Sequence, residues 1–148
     1  MEATGQLVYP EIIGGAPIPR GPDIYEWTRT CIAPERRDAA GGMDRAARLV
    51  FCGVAEACVM LGIRGLTVET DPLWITRFLE LGWRAKPLAL PVEYEGESLV
   101  PIYVDVDENT LERCRDLLGV AGPVLTVDDN FEPSRIAVRA PAEVVASN

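Results

Sequence analysis

The sequence has no histidine and a single lysine, Lys86, among its 148 residues. A general base, if the protein has one, must therefore be a carboxylate, a thiol, a phenol, that lysine or a bound water. The four cysteines, Cys31, Cys52, Cys58 and Cys114, contain no CxxC pair. With neither a CxxC pair nor a histidine they do not match the usual zinc ligand spacings, and we expect them to be small core residues.

Long hydrophobic runs and a positive charge balance are also missing. No run of 18 apolar residues occurs, and the first residues have neither a basic region nor a continuous apolar region of the kind found in signal peptides. The 14 basic and 23 acidic residues give a net charge of −9, which argues against a general nucleic-acid or anionic-membrane binder. We therefore expect a cytoplasmic protein with reduced cysteines.

Familiar motifs of phosphate, nucleotide and metal chemistry are missing as well. The sequence contains no GxxxxGK[ST], GxGxxG, GxSxG or HExxH pattern. The run Asp105–Asn109 imitates the start of a calcium loop, but Thr110 stands where that loop needs glycine, and a strand precedes it. We predict no metal site and no cofactor.

The length and the 48% hydrophobic content fit one globular domain over residues 1–148. Prolines and glycines are dense in residues 1–23, which predicts an extended, turn-rich lead-in. Residues 122–148 are expected to be a tail that contains one last short strand, Val124–Val127, and is polar after it.

Hydrophobic periodicity predicts a mixed α/β order between these ends. A strand at Ile24–Ile32 is followed by the strongest helix, capped by Asp44, running through Leu61 and stopped by Gly62. A strand at Arg64–Thr70 leads through Asp71-Pro72, which supplies a cap and a first-turn proline, into a second helix. That helix spans Leu73–Leu81 and is closed by Gly82.

Two further strands and a helix complete the order. The strands Trp83–Leu90 and Leu99–Val106 are joined by an acidic turn around Gly96 and are expected to form a hairpin. Asn109 to Glu112 fits a capping box for a final short helix. We therefore expect helices packed on a sheet of four or five strands.

Glu26 is the main candidate for acid–base chemistry because it lies inside an apolar strand, three residues before Arg29. A carboxylate in such a strand tends to be desolvated, which is how proteins tune general bases. Strict alternation places the two residues on opposite faces, so a structural ion pair or two solvated residues is the competing interpretation. Thr70 is likewise compatible with an ordinary strand end.

The segment from Pro19 to Arg29, PRGPDIYEWTR, resembles the stretch of acyl-homoserine-lactone synthases that leads into their central strand. The downstream order agrees, with RGLTVETDPLWITRFLELGW ending in Gly82-Trp83, and the resemblance runs from about Leu7 to Leu118. It implies a fold like that of the GCN5-related N-acyltransferases. It also implies transfer of an acyl chain from acyl carrier protein or acyl-CoA to the amine of S-adenosylmethionine, in the synthesis of quorum-sensing signals.

The resemblance implies roles for five residues. Glu26 would help to deprotonate the amine through water, and Arg29 would hold the same charge network. Trp27, Thr28 and Thr70 would contact the substrate, with Thr70 near the third carbon of the acyl chain. Strand amides would hold the developing oxyanion.

The family's N-terminal third, which supplies part of the S-adenosylmethionine pocket and the first strands, has no counterpart before Glu26 here, so we expect an N-terminally truncated version of the fold. An uncovered edge of the Ile24–Ile32 strand would then favour a homo-oligomer. Two alternatives stay open. The chain is a non-catalytic acyl-binding or interaction protein, or an N-acetyltransferase for another small amine.

Overall fold

Five strands form a mixed sheet in the computed structural model, which describes residues 15–28, 30–33, 35 and 45–128. They are β1 (Ile24–Glu26), β2 (Gly65–Thr70), β3 (Arg84–Pro87), β4 (Val92–Tyr94) and β5 (Glu97–Asp105). The strand order is β1-β2-β5-β3, and β4 pairs separately with the first residues of β5. β1 and β2 are parallel, and the other pairs are antiparallel. The expected mixed α/β architecture is confirmed.

The two helices that follow β1 and β2 match the sequence pattern closely. α1 spans Arg45–Leu61 and α2 spans Leu73–Glu80. Gly62 (φ 69°) and Gly82 (φ 82°) adopt the left-handed conformation that ends a helix at glycine. The predicted cap at Asp71 also forms, because its carboxylate accepts the Leu73 N–H at 2.7 Å. The cap predicted at Asp44 lies outside the described residues.

The last helix, α3 (Glu108–Leu118), begins two residues earlier than predicted. The N-cap is Asp107, whose carboxylate accepts the Thr110 N–H at 2.7 Å, while the Thr110 hydroxyl accepts the Asp107 N–H at 3.3 Å. The capping box predicted from Asn109 is therefore wrong. Asp107 takes the position because β5 ends at Asp105 and leaves it in extended backbone, where an aspartate caps well.

The hairpin expected around Gly96 is confirmed, but its first strand is β4, which the sequence analysis missed. Glu95 (φ 50°) and Gly96 (φ 85°) both have positive φ, as a two-residue hairpin turn requires. The strand predicted over Trp83–Leu90 is shorter, at Arg84–Pro87, because Pro87 and Pro91 interrupt a run that would otherwise continue.

Two predicted strands are corrected. The strand expected at Ile24–Ile32 is only Ile24–Glu26, because its pairing with β2 ends at Glu26, and Trp27 adds one last backbone bond. Residues Val124–Val127 form no strand. Two of their N–H groups donate to the carboxylate of Glu56 on α1 instead of to a neighbouring strand.

The core lies between one face of the sheet and the helices. Its centre is a group of five aromatic side chains, here called the aromatic cluster, whose contacting ring centroids lie 5.4–6.3 Å apart: Trp27, Phe51, Trp74, Phe78 and Trp83. Trp83 is 1% exposed, so the predicted Gly-Trp end of the second helix is a core element. Within the described ranges, no helix combines the length and apolarity needed to cross a membrane.

Candidate active site

The parallel pair of β1 and β2 places the main sequence-predicted residues. Glu26 is in register with Thr67, and the Trp27 N–H donates to the Thr67 carbonyl at 2.9 Å. β2 continues through Thr70, and beyond Thr67 its strand partner among the described residues is β5. Among the described residues the pairing of β1 with β2 therefore ends at Trp27, and we call the region beside β2 beyond this point the β1–β2 cleft.

Alternation along the strands gives the cleft two chemically different sides. Tyr25 and Trp27 pack against the hydrophobic core, together with Leu66 and Val68 of β2. Glu26 lies between the two core-facing residues of its own strand, so it belongs to the opposite face of the sheet. One side of the cleft is apolar and aromatic, and the other carries the carboxylate.

The predicted site residues are brought only partly together. Glu26 is half-buried, and Thr28 is exposed at the mouth of the cleft. Trp27 belongs to the aromatic cluster, and its indole N–H donates to the Thr30 hydroxyl. Thr70 lies three residues beyond Thr67, roughly 10 Å along β2, and alternation assigns it to the core side. Glu26 and Thr70 therefore flank the cleft from opposite faces.

Arg29 lies outside the described residues. The expected network between Arg29 and Glu26 stays a prediction. The roles assigned to Trp27, Thr28 and Thr70 likewise come from the resemblance.

The entrance to the parallel pair is fixed by Asp23. Its carbonyl accepts the N–H groups of Arg64 and Gly65 at 2.9 and 3.3 Å, and its carboxylate forms an ion pair with the Arg64 guanidinium. The hydrogen bond from Arg64 lowers the pKa of the Asp23 carboxyl. These contacts tie the start of β1 to the start of β2 and so set the register that carries Glu26.

The carboxylate face holds polar residues that sequence reasoning missed. Thr67 of β2 is in register with Tyr103 of β5, which is in register with Lys86 of β3. The Lys86 ammonium lies 4.9 Å from the centre of the Tyr103 ring. Glu69 lies two residues beyond Thr67 and therefore shares this face. The alternation in Gly65–Thr70 was the available signal, but cross-strand register is needed to connect these residues.

Three of the four cysteines, Cys52, Cys58 and Cys114, are buried core thiols as expected, whereas Cys31 is exposed. Burial raises the pKa of Cys52 to about 12 and that of Cys58 to about 11, so both are thiols at neutral pH. The Cys52 and Cys114 sulfurs lie 3.6 Å apart between α1 and α3. Among the residues with described positions, no group of three or more cysteine or acidic side chains is placed to hold a metal ion.

A separate open groove of about 950 Å³ lies between α1 and the segment that follows α3. Its lining includes Arg45, Arg48 and Gly53 of α1, and Val124 and Leu125 of the later segment. None of the lining residues belongs to the β1–β2 cleft. The groove is therefore a different feature from the candidate site.

Comparison with known proteins places this arrangement in a family, although no protein-family model matches the sequence. The chain is 30% identical over 113 residues to isovaleryl-homoserine lactone synthase from Bradyrhizobium diazoefficiens, covering 76% of this chain and 49% of the relative. Among solved structures, the CoA-dependent acyl-homoserine lactone synthase MesI is 32% identical with a TM-score of 0.67, covering 79% of this chain and 57% of MesI.

The CoA-dependent synthase BjaI, solved with SAM and isopentyl-CoA, is 29% identical with a TM-score of 0.66, covering 78% of this chain and 52% of BjaI. The synthase LasI, at 16% identity and a TM-score of 0.63, shares the fold. The chain has an α/β fold like that of the GCN5-related N-acyltransferases. It belongs to the acyl-homoserine-lactone synthase family, and it spans about half the length of the relatives that it matches.

Proposed function

We propose that this chain transfers an acyl group from acyl-CoA to the amine of S-adenosylmethionine and so makes an acyl-homoserine lactone. The observation that carries the proposal is the β1–β2 cleft, where a carboxylate on one face meets an apolar wall on the other. BjaI has been solved with SAM and isopentyl-CoA, and MesI is described as CoA-dependent, which favours acyl-CoA over acyl carrier protein as donor.

The reaction needs a base and an oxyanion donor. The ammonium of the acceptor loses a proton to the base, and its nitrogen attacks the thioester carbonyl. The tetrahedral intermediate expels the CoA thiolate, and the second proton that the nitrogen loses is taken up by that thiolate. The carboxylate of the acylated product then displaces the neutral thioether, closing the lactone ring. Both steps conserve atoms and charge without an oxidant or reductant.

Glu26 is the proposed base, acting directly or through a water. Its position in β1 places the Glu26 side chain on the polar face of the sheet, where a charged acceptor can approach. The acyl chain lies on the opposite face, on the side of Trp27 and Thr70. The Trp27 N–H donates to the Thr67 carbonyl, so the backbone groups of Thr67 face β1. Since alternate residues of a strand face the same edge, the next backbone groups on this edge of β2 are those of Glu69, beside the mouth of the cleft. Arg29 and Thr28 complete the proposed site as the polar residues that follow Trp27.

The first test is mass spectrometry of extracts from cells that express the chain. An acyl-homoserine lactone with a short or branched acyl group is the expected product, absent from cells that carry the empty vector. If acetyl-CoA is consumed with other amines instead, the N-acetyltransferase alternative holds. If acyl-CoA binds without turnover, the chain is an acyl-binding protein.

The second test is Glu26→Gln, which keeps the shape and removes the proton acceptor. Turnover should fall on the order of 10²–10⁴-fold while the melting temperature barely changes. Glu93→Gln, an exposed change on β4, is the control. Near-normal turnover with a strongly lowered melting temperature would mean that Glu26 is a structural residue.

A further inference from the structure

Glu69 is a second carboxylate on the polar side of the β1–β2 cleft. It lies two residues along β2 from Thr67, which is the register partner of Glu26. With a strand spacing of about 4.8 Å and a rise of about 3.3 Å per residue, the Cα atoms of Glu26 and Glu69 are roughly 8 Å apart. A small cation beside Glu26 therefore lies within the field of both carboxylates.

The surroundings of Glu69 make its charge effective. Both of its carboxylate oxygens are shielded from solvent, and its register partner on β5 is the fully buried Pro101. A β-branched apolar residue would suit this strand position better, and desolvating a carboxylate there costs free energy unless a positive charge is near. Glu69 also takes part in an interaction within the chain.

We propose that Glu69 selects a positively charged acceptor, an inference that rests on the proposed acyl transfer. Its charge attracts the ammonium and sulfonium of S-adenosylmethionine to the Glu26 side of the cleft, and shielding from water strengthens that attraction. Glu69 is a positioning residue that affects acceptor binding. Proton removal is left to Glu26, and the Glu69 side chain lies on the face opposite the one proposed for the acyl chain.

The kinetic test compares Glu69→Gln, Glu69→Asp and the exposed control Glu93→Gln. Glu69→Gln should raise KM for S-adenosylmethionine about tenfold, while kcat and KM for acyl-CoA stay within about twofold. Glu69→Asp keeps the charge and should recover most of the acceptor affinity. Unchanged acceptor KM in Glu69→Gln overturns the proposal, as does a fall in kcat and melting temperature at constant KM.

A calorimetric test separates this proposal from the proposed function, because it needs no turnover. S-adenosylmethionine is cationic, whereas methylthioadenosine (MTA) is a neutral thioether with the same nucleoside. Glu69→Gln should weaken S-adenosylmethionine binding about tenfold and leave MTA binding unchanged. If that difference appears in a chain that makes no lactone, Glu69 recognises the cation and the acyl-transfer proposal fails. Equal losses for both ligands, or no binding of S-adenosylmethionine by the unaltered chain, overturn the role of Glu69.

Discussion

Glu56 fastens the segment after α3 to α1, and its removal should be the most damaging change of a single charge in the described fold. The side chain is 8% exposed. Its carboxylate forms an ion pair with Arg115 and accepts the N–H groups of Val124 and Leu125 at 3.0 and 2.9 Å. Glu56→Ala leaves these three donors without their acceptor.

The cost follows from burial. Breaking a buried ion pair by removing one partner costs about 3–5 kcal/mol. The Arg115 side chain keeps 27% of its exposure and can turn toward water, so the lower end of that range applies. A loss of about 3 kcal/mol lowers the melting temperature by roughly 6–12 °C in a chain of this size. Differential scanning calorimetry of Glu56→Ala measures this directly, with the exposed Glu112→Ala on α3 as the control.

The same anchor predicts how stability changes with pH. Burial alone would raise the pKa of Glu56, but the hydrogen bonds from Arg115, Leu125 and Val124 outweigh it and lower the pKa below the ordinary 4.5. The stabilisation is therefore complete above pH 4.5 and is lost as the pH falls through the lower pKa of the folded state. The gap in unfolding free energy between the unaltered chain and Glu56→Gln should shrink below that pH. For the melting experiment, a Glu56→Ala melting temperature within 2 °C of that of the Glu112→Ala control would refute the argument from burial.

Three other predictions rest on separate features. Cys31 is exposed and the other three cysteines are buried, so a thiol reagent should titrate one group in the native chain and four after denaturation; fast reaction of a second thiol would contradict this. Gly82 and Gly119 both have positive φ, but a Cβ at Gly82 would also lie 2.9 Å from that of Arg113. In urea unfolding, Gly119→Ala should cost about 1 kcal/mol and Gly82→Ala about 2–3 kcal/mol, and equal costs would refute the steric argument. β1 is an edge strand among the described residues, so the chain should form dimers at micromolar concentration. Light scattering that finds a 16.2 kDa monomer would contradict this prediction.

The sequence predicted best the elements whose signals are local. α1 has an unbroken apolar stripe and a glycine stop at Gly62, and α2 has Asp71 before its first turn. Each signal acts within a few residues, so no knowledge of distant contacts is needed. The same holds for the turn at Glu95-Gly96, where two residues of positive φ fix the hairpin.

The errors arose where a distant partner decides the outcome. Ile24–Ile32 has the composition of a strand, but among its described residues only three are in register with β2, and Trp27 adds one backbone hydrogen bond. Val124–Val127 also looks like a strand, yet its backbone donors are taken by Glu56, a residue about 70 positions earlier. Glu69 was overlooked for the same reason, because its relation to Glu26 exists only through the register of β1 with β2.

The shortness of β1 is also what gives the cleft its two-sided chemistry. Trp27 is drawn into the aromatic cluster, and its N–H makes the last backbone bond to β2. Because neighbouring residues of an extended chain point to opposite faces, the burial of Trp27 directs Glu26 away from the core. A longer paired β1 would keep that alternation but would cover the edge of β2 beside Glu69. The ending of the pair at Trp27 therefore leaves an apolar side and a carboxylate side next to each other, and in the proposed reaction the acyl group and the charged amine would approach from these opposite faces.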